Sequence, residues 1–425
     1  MSEQNTSSVE VGFPHELLSQ PIAVRNAYFD KKLIAHPLLK NAYDKLLSTI
    51  YQPAGASLIW AIGPTGVGKT TLHRKVVSQL IADAMKDMES DPGYMPVVSL
   101  GLQDVSTERG SFDWKDFFKC ILHAQNEPLI DRKIDYNPSL GPLQKSLRRT
   151  STLADLRSAA RECIHNRRPI AIIIDEAQHF KKVASGKNFL YQMDNIKALA
   201  ETTGVVHVLV GTYELLELLN LSGQLSRRSS QIHLPRYRCE IPDDLKAFQN
   251  MLMMFQRHLP LSKEPNLVDH YEYFYDNCVG CIGVLKDWLR RALGEALEEE
   301  NKTLTMKCLK NHEKSTHELM NMMQEISLGE QYLKEDSKDR AELRKLLGWD
   351  KVNAKKQKSG AANSPQEEQI AEEAHPEHGE QLSTQSKSRT QEQITKQSKP
   401  KQKKENVGQR KAQRDLVGNS RQKGA

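Results

Sequence analysis

Aromatic residues run out before the chain does: residues 350–425 contain no Phe, Trp or Tyr, and Lys, Gln, Glu, Ser and Asn dominate there. Such a stretch buries too little apolar surface to offset the entropy of ordering it, so a disordered tail is expected. Long apolar runs are missing as well. The longest strongly apolar stretch, 170–174, is far too short to span a bilayer, and residues 1–11 are polar, without the apolar centre of a secretory signal. A cytoplasmic protein with no membrane partner is the expectation. Cysteine is sparse, with 6 in 425 residues, and in that setting the six read as free thiols. Cys278-x-x-Cys281 and Cys308-x-x-x-His312 resemble half of a zinc-ligand pattern. The gap between the pairs is long, however, and Cys281 opens an amphipathic helix, which favours structural cysteines. No internal repeat is visible.

The net charge is a property of the tail. Residues 387–425 carry 12 Lys or Arg against 3 acids, a balance of +9 where the whole chain is +6, which leaves the first 386 residues at −3. The pI of about 8.8 therefore does not describe a basic globular domain. A basic tail of this kind suits phosphate contacts with nucleic acid, an acidic protein partner, or simple solvation. At 425 residues, 38% hydrophobic and a mean hydropathy of −0.61, the chain has room for two or three domains, one of them strongly polar.

The most informative stretch is Gly63-Pro64-Thr65-Gly66-Val67-Gly68-Lys69-Thr70-Thr71, a complete G-x-x-x-x-G-K-[ST] loop. An apolar strand (57–62) precedes it and a helix of period 3.6 (70–88) follows, which is the context the motif needs. Its glycines let backbone N–H groups close on phosphate oxygens, and the helix N-terminus adds its positive dipole end. Lys69 is expected to reach the β and γ phosphates of ATP, and the Thr70 hydroxyl to ligate Mg²⁺.

Downstream, strands are expected over 95–100, 169–174, 205–210 and 231–234, separated by helices over 114–123, 152–166, 188–202 and 213–219. Fully apolar strands alternating with helices predict a parallel sheet covered on both faces. From 242 to about 348 only helical periodicity is found. The expected organisation is an N-terminal, partly helical extension (1–52), an α/β P-loop domain (53–240), a small all-helical lid (241–349) and the basic tail (350–425).

The strand 170–174 ends in Asp175-Glu176. At the carboxyl end of a parallel strand, Asp175 would face the P-loop and hold Mg²⁺, while Glu176 would polarise the water that attacks the γ-phosphate. Thr212 closes the next strand, where its hydroxyl either orients that water or caps the following helix. Arg227 and Arg228 precede the last strand, where one of them either completes a neighbouring subunit's site or both are surface charges.

This order of P-loop, Asp-Glu strand, polar strand end, arginine pair and helical lid resembles the AAA+ ATPases. More narrowly, several stretches are similar to transposon ATPases of the TnsC/TniB type, relatives of the phage Mu target-selection ATPase. They are Arg25 to Phe29, Ile34 to Pro37, Ile62 to Thr71, Ile174 to His179, Gly223-Gln224-Leu225-Ser226-Arg227-Arg228 and Gly283-Val284-Leu285-Lys286-Asp287-Trp288-Leu289, the last two being the most telling. The resemblance covers about residues 22–300. It implies a regulator of DNA transposition that forms rings or filaments on duplex DNA when ATP is bound. Such a protein links a target-selection protein to the transposase and disassembles on hydrolysis. It also implies that Lys286 takes the lid position where many relatives place an arginine on the nucleotide, a point charge in place of a bidentate one.

DNA contacts are expected in the polar section after the second strand, which offers Arg109, Lys115, Lys119, Arg132, Lys133, Lys145, Arg148 and Arg149, although these charges also suit a solvated surface. No base-reading module is visible, so little sequence specificity is expected. The competing readings are a replication initiator or loader of the same class, favoured by a winged helix after the lid, and a slow nucleotide switch or adaptor, which Glu176 argues against.

Overall fold

Five short strands set the architecture: β1 (Leu58–Ile62), β2 (Val97–Gly101), β3 (Ala171–Asp175), β4 (Val206–Gly211) and β5 (Ser229–His233). The computed structural model describes residues 12–102, 107–108, 111–132, 151–180, 187–219, 228–334 and 337–349. The strands form one all-parallel sheet in the order β2-β3-β4-β1-β5. Residues 107–108 and 111–112 add a separate antiparallel hairpin that the sequence pattern does not announce.

Both faces of the central strands β1, β3 and β4 are buried, which explains why they are largely apolar rather than alternating, whereas the edge strand β5 is polar and only partly buried. Leu58, Trp60, Ile62, Ile172, Ile174 and Leu209 point into one core. Ile59, Ala61, Ala171, Ile173, Val208 and Val210 point into the other. Helices α2 (Pro37–Tyr51) and α3 (Lys69–Asp83) cover the second face. The first is covered by α5 (Trp114–Ala124), α6 (Leu153–Arg167) and α7 (Lys187–Thr203), after the short α4 (Met85–Ser90). Local sequence starts these helices. Asp113 accepts from the N–H groups of Lys115 and Asp116, and Thr152 and Asp155 form a reciprocal capping box. The single helix expected over 70–88 is interrupted at Ala84, whose φ of −93° and ψ of 4° depart from helical values between α3 and the short helix that follows. Residues 213–219 are likewise a 3₁₀ turn running into a one-turn helix, α8 (Leu216–Leu219).

After β5 the described chain is entirely helical: α9 (Pro242–His258), α10 (Tyr271–Cys278), α11 (Ile282–Glu298), α12 (Met306–His312), α13 (Thr316–Leu333) and α14 (Ser337–Leu346). The N-terminal α1 (Ile22–Lys31) packs with these helices, through Phe29 on Phe255 and the Tyr28 hydroxyl 3.0 Å from His258 Nδ1. Arg236, in the segment leaving β5, is buried. It pairs with Glu330 of α13 at 3.2 Å and donates to the Tyr275 hydroxyl of α10 at 2.9 Å, anchoring the helices to the end of the sheet. Met1–Gly348 form one compact unit. The expected tail, 350–425, lies outside the described residues, and no described helix is long and apolar enough to cross a membrane.

Candidate functional site

Because the sheet is parallel, the ends of β1, β3, β4 and β5 open on one edge, and β4 lies between β1 and β3. The loop after β1, the acids ending β3 and Thr212 after β4 are thereby brought together at the carboxyl edge, where ligands of open α/β sheets bind. A cleft of about 360 Å³ there is lined by Thr65, Gly66, Gly68, Lys69, Thr70, Thr71, Glu176, Gln178, Thr212, Gly283, Lys286 and Asp287, with Asp175 just outside the lining. A larger groove of about 630 Å³ between α2 and α3 contains none of these residues.

The loop conformation depends on its glycines. Gly68 caps α3 at φ +110°, a conformation closed to L side chains. Gly66 accepts a 2.7 Å bond from the Gly283 N–H at the start of α11, and a Cβ on Gly283 would stand 2.5 Å from the Gly66 oxygen. Lys69 is buried and its ammonium donates to the carbonyls of Gly63 (3.0 Å) and Pro64 (2.8 Å). Burial lowers its pKa against the opposing pull of Glu176 and Asp175.

Asp175 is tied on both oxygens. Oδ2 lies 3.3 Å from His73 Nδ1, Oδ1 accepts from the Glu176 N–H at 2.9 Å, and His73 Nε2 is 2.7 Å from the Ser99 hydroxyl. Burial works to raise the Asp175 pKa, but His73, the Glu176 N–H and Lys69 together outweigh it and hold the carboxyl below its usual range. Glu176 has φ +54°, rare for a residue with a side chain, and its carboxylate accepts from the Gln178 side-chain amide. The Gln178 carbonyl in turn accepts the Thr212 N–H at 3.2 Å. Thr212 begins the 3₁₀ turn at Tyr213, yet its hydroxyl makes no capping bond, is shielded from solvent and has no partner among the described residues. A buried hydroxyl of this kind takes its partner from outside the protein, as water or a ligand.

Lys286 lies on the cleft and donates to the Asp30 carbonyl of α1 at 2.7 Å. Glu325 of α13 is half-buried, and burial raises its pKa, with Glu214 adding to the shift and Lys69 opposing it. Arg228 is far from this edge. Its carbonyl bonds the N–H groups of Ser57 and Leu58 at the start of β1, a strand's length or roughly 16 Å from the loop. Its guanidinium pairs with Glu201 at 2.7 Å. Arg227 lies outside the described residues, as do Arg109, Lys133, Lys145, Arg148, Arg149 and the Arg132 side chain. Of the expected DNA contacts, Lys119 is paired with Asp131 at 2.6 Å, and Lys115 stands in the first turn of the same helix, α5.

Sequence reasoning did not assign His73, Ser99, Gln178 or Asp30 to the site. His73 carries a usable signal, since it follows Lys69 by four residues and so shares its helix face. Gln178 does too, two residues beyond Glu176. Ser99 and Asp30 are brought in by topology alone.

Residues 53–219 match the family model described as AAA domain. With the parallel sheet and the loop geometry above, the fold is the expected AAA+ P-loop fold. No curated protein matches the chain. Similar solved structures include the ORC2 protein of Aeropyrum pernix in ADPNP–ADP complexes (15% identity, TM-score 0.44, covering 69% of this chain and 73% of that one). A Walker-type ATPase of Pyrococcus abyssi (15%, 0.39, 68% and 73%) and Drosophila ORC bound to DNA (12%, 0.40, 82% and 88%) are also similar.

Proposed function

We propose that this chain is an ATPase that assembles on duplex DNA, with little sequence specificity, and regulates DNA transposition by linking a target-selection protein to a transposase, hydrolysis driving disassembly. The observation that carries the ATPase reading is one cleft holding the buried Lys69, the braced Glu176 and the unpartnered Thr212 hydroxyl. In this reading residues 63–71 bind the triphosphate, Lys69 leaves its loop carbonyls for the phosphates, and Lys286 leaves Asp30 for the same charge. Thr70 and Asp175 would hold Mg²⁺, which when bound draws charge off the phosphate oxygens. Glu176 takes the proton of the attacking water, and Thr212 orients that water.

Arg228 stands too far from its own loop to serve it, so as a catalytic group it would serve another copy, which supports a homo-oligomer. The stretches 223–228 and 283–289 support the transposition assignment. The initiator reading called for a winged helix after the lid; among the described residues no strand follows β5.

The test is electron microscopy with sedimentation on long random-sequence duplex DNA, in ATP, a non-hydrolysable analogue, ADP or no nucleotide. Rings or filaments on DNA only with a triphosphate are expected. A chain indifferent to DNA in every nucleotide state would overturn the assembly reading, and absence of hydrolysis by assembled protein would overturn the ATPase one.

A further inference from the structure

Helices α11 and α12 pack against each other, with the Trp288 indole N–H donating to the Leu309 carbonyl at 2.9 Å. At the far end of α11 from the cleft, two residue pairs spaced i, i+4 meet across this hairpin: Glu295 and Glu299 on one side, Cys308 and His312 on the other. One oxygen of each carboxylate and the Cys308 sulfur all lie within 4.8 Å of one another. His312 Nε2 lies 2.8 Å from Glu295 Oε2. We propose that Glu295, Glu299, Cys308 and His312 form a binding site for one divalent transition-metal ion, Zn²⁺ by ligand type, that fastens α11 to α12.

Three observations carry this. The donor set mixes thiol, imidazole and carboxylate, which suits Zn²⁺ and its neighbours and does not suit Mg²⁺ or Ca²⁺. The Cys308 sulfur lies 3.9 Å from Glu299 Oε2 and His312 Nε2 lies 2.8 Å from Glu295 Oε2, on either side of the ~3.3–3.8 Å edges of a tetrahedron with zinc–ligand bonds of about 2.0–2.3 Å. Finally, Glu295 Oε2 and His312 Nε2 are both shielded from solvent, and among the described residues their polar contact is the 2.8 Å ion pair with each other, which one ion taking both as ligands would replace.

The outer oxygens are separately braced. Asn311 Nδ2 donates to Glu295 Oε1 at 2.6 Å, and Lys307 Nζ to Glu299 Oε1 at 2.6 Å. Asn301 Nδ2 donates to Glu299 Oε2 at 2.9 Å and approaches the Cys308 sulfur, which also takes a 3.1 Å contact from the Thr305 hydroxyl. Such contacts orient metal ligands, and on binding Glu299 Oε2 and the Cys308 sulfur would exchange their present 3.9 Å contact with each other for the ion. On binding, Cys308 coordinates as thiolate and its proton passes to solvent. The site lies about 18 Å along α11 from Gly283, so it is separate from the nucleotide's Mg²⁺.

The test is titration of the purified, chelator-stripped full chain with Co²⁺, read by its thiolate-to-cobalt absorption, alongside elemental analysis for zinc. One zinc per chain, and a cobalt band that Cys308→Ser abolishes and His312→Gln weakens at least ~10-fold in affinity, are expected. His312 is partly exposed, so His312→Gln should fold even where Cys308→Ser does not, and circular dichroism checks both. No band from folded wild-type protein at micromolar Co²⁺ would overturn the site. A band of unchanged affinity in folded His312→Gln would overturn it equally.

Discussion

The Glu176 carboxylate is held by the side-chain amide of Gln178, two residues along the same chain. Because Gln178 also takes the Thr212 N–H, the glutamate's position is set by the end of β4. If Glu176 is the base of the proposed hydrolysis, it is already oriented before nucleotide binds, which is where catalytic positioning energy comes from.

Gln178→Ala should therefore lower kcat on the order of tenfold while leaving nucleotide Kd within about twofold. It also leaves the Thr212 N–H without its acceptor, costing about 1–3 kcal/mol of stability. Gln178→Glu should be worse, since a second carboxylate would face Glu176. Steady-state hydrolysis beside equilibrium binding of a fluorescent nucleotide separates the two effects. A loss of stability with kcat unchanged would reduce Gln178 to a structural role.

The latch formed by the Gly283 N–H on the Gly66 carbonyl, which ties α11 to the loop after β1, is tested by a pair of glycines on α11. Gly283→Ala drives a methyl group to 2.5 Å from the Gly66 carbonyl, a backbone atom that cannot yield without moving the loop. We expect a loss of about 1–3 kcal/mol and weaker nucleotide binding. Gly294→Ala, whose Cβ would meet only Asn26 at 4.0 Å, should instead stabilise the helix by up to about 1 kcal/mol. Equal melting shifts of the same sign in the two variants would refute the latch.

Much of this was legible in the chain because the motif residues are consecutive and their elements are strongly periodic. A fully apolar strand, a glycine loop and a helix can be read in order, and Asp175-Glu176 follows from a strand ending in acids. What periodicity cannot carry is contact between distant residues. His73 reaches Asp175 across 102 positions and Lys286 reaches Asp30 across 256, each because strand order and helix packing bring them together. The same holds for Cys308 and His312. Read along the chain they look like partners for Cys278 and Cys281, whereas the fold turns them toward Glu295 on α11 and Glu299 at its C-terminal cap.

Arg228 carries a prediction about assembly. Its pair with Glu201 is exposed on both sides, so Arg228→Ala should change stability by less than about 1 kcal/mol. If it completes a neighbour's site, hydrolysis should fall on the order of 10³-fold or more, and only under conditions where the protein assembles. Mixing Arg228→Ala chains with Lys69→Ala chains should restore part of the activity. An intact loop in one chain then lies beside an intact arginine in the other. No loss in Arg228→Ala would pass the role to Arg227.

Stability should fall on acidification, and the cause lies in buried histidines. Burial pushes His207, within β4, down to about 4, and it does the same to His36 and His233. His207 is fully buried, with Nδ1 2.9 Å from the Val205 carbonyl and Nε2 unpartnered among the described residues. In the unfolded chain each imidazole takes a proton near pH 6.5, while in the folded state it stays neutral to about 4. Between those values the unfolded chain binds more protons. Stability is therefore level above about pH 6.5 and is lost progressively as pH falls toward 4. For His207 alone the loss is about 2 kcal/mol at pH 5. Urea unfolding at a series of pH values measures the slope, and His207→Leu should make it shallower by close to one proton's worth. A slope the same in His207→Leu and wild type would mean that this ring titrates alike folded and unfolded, and that the acid sensitivity lies elsewhere.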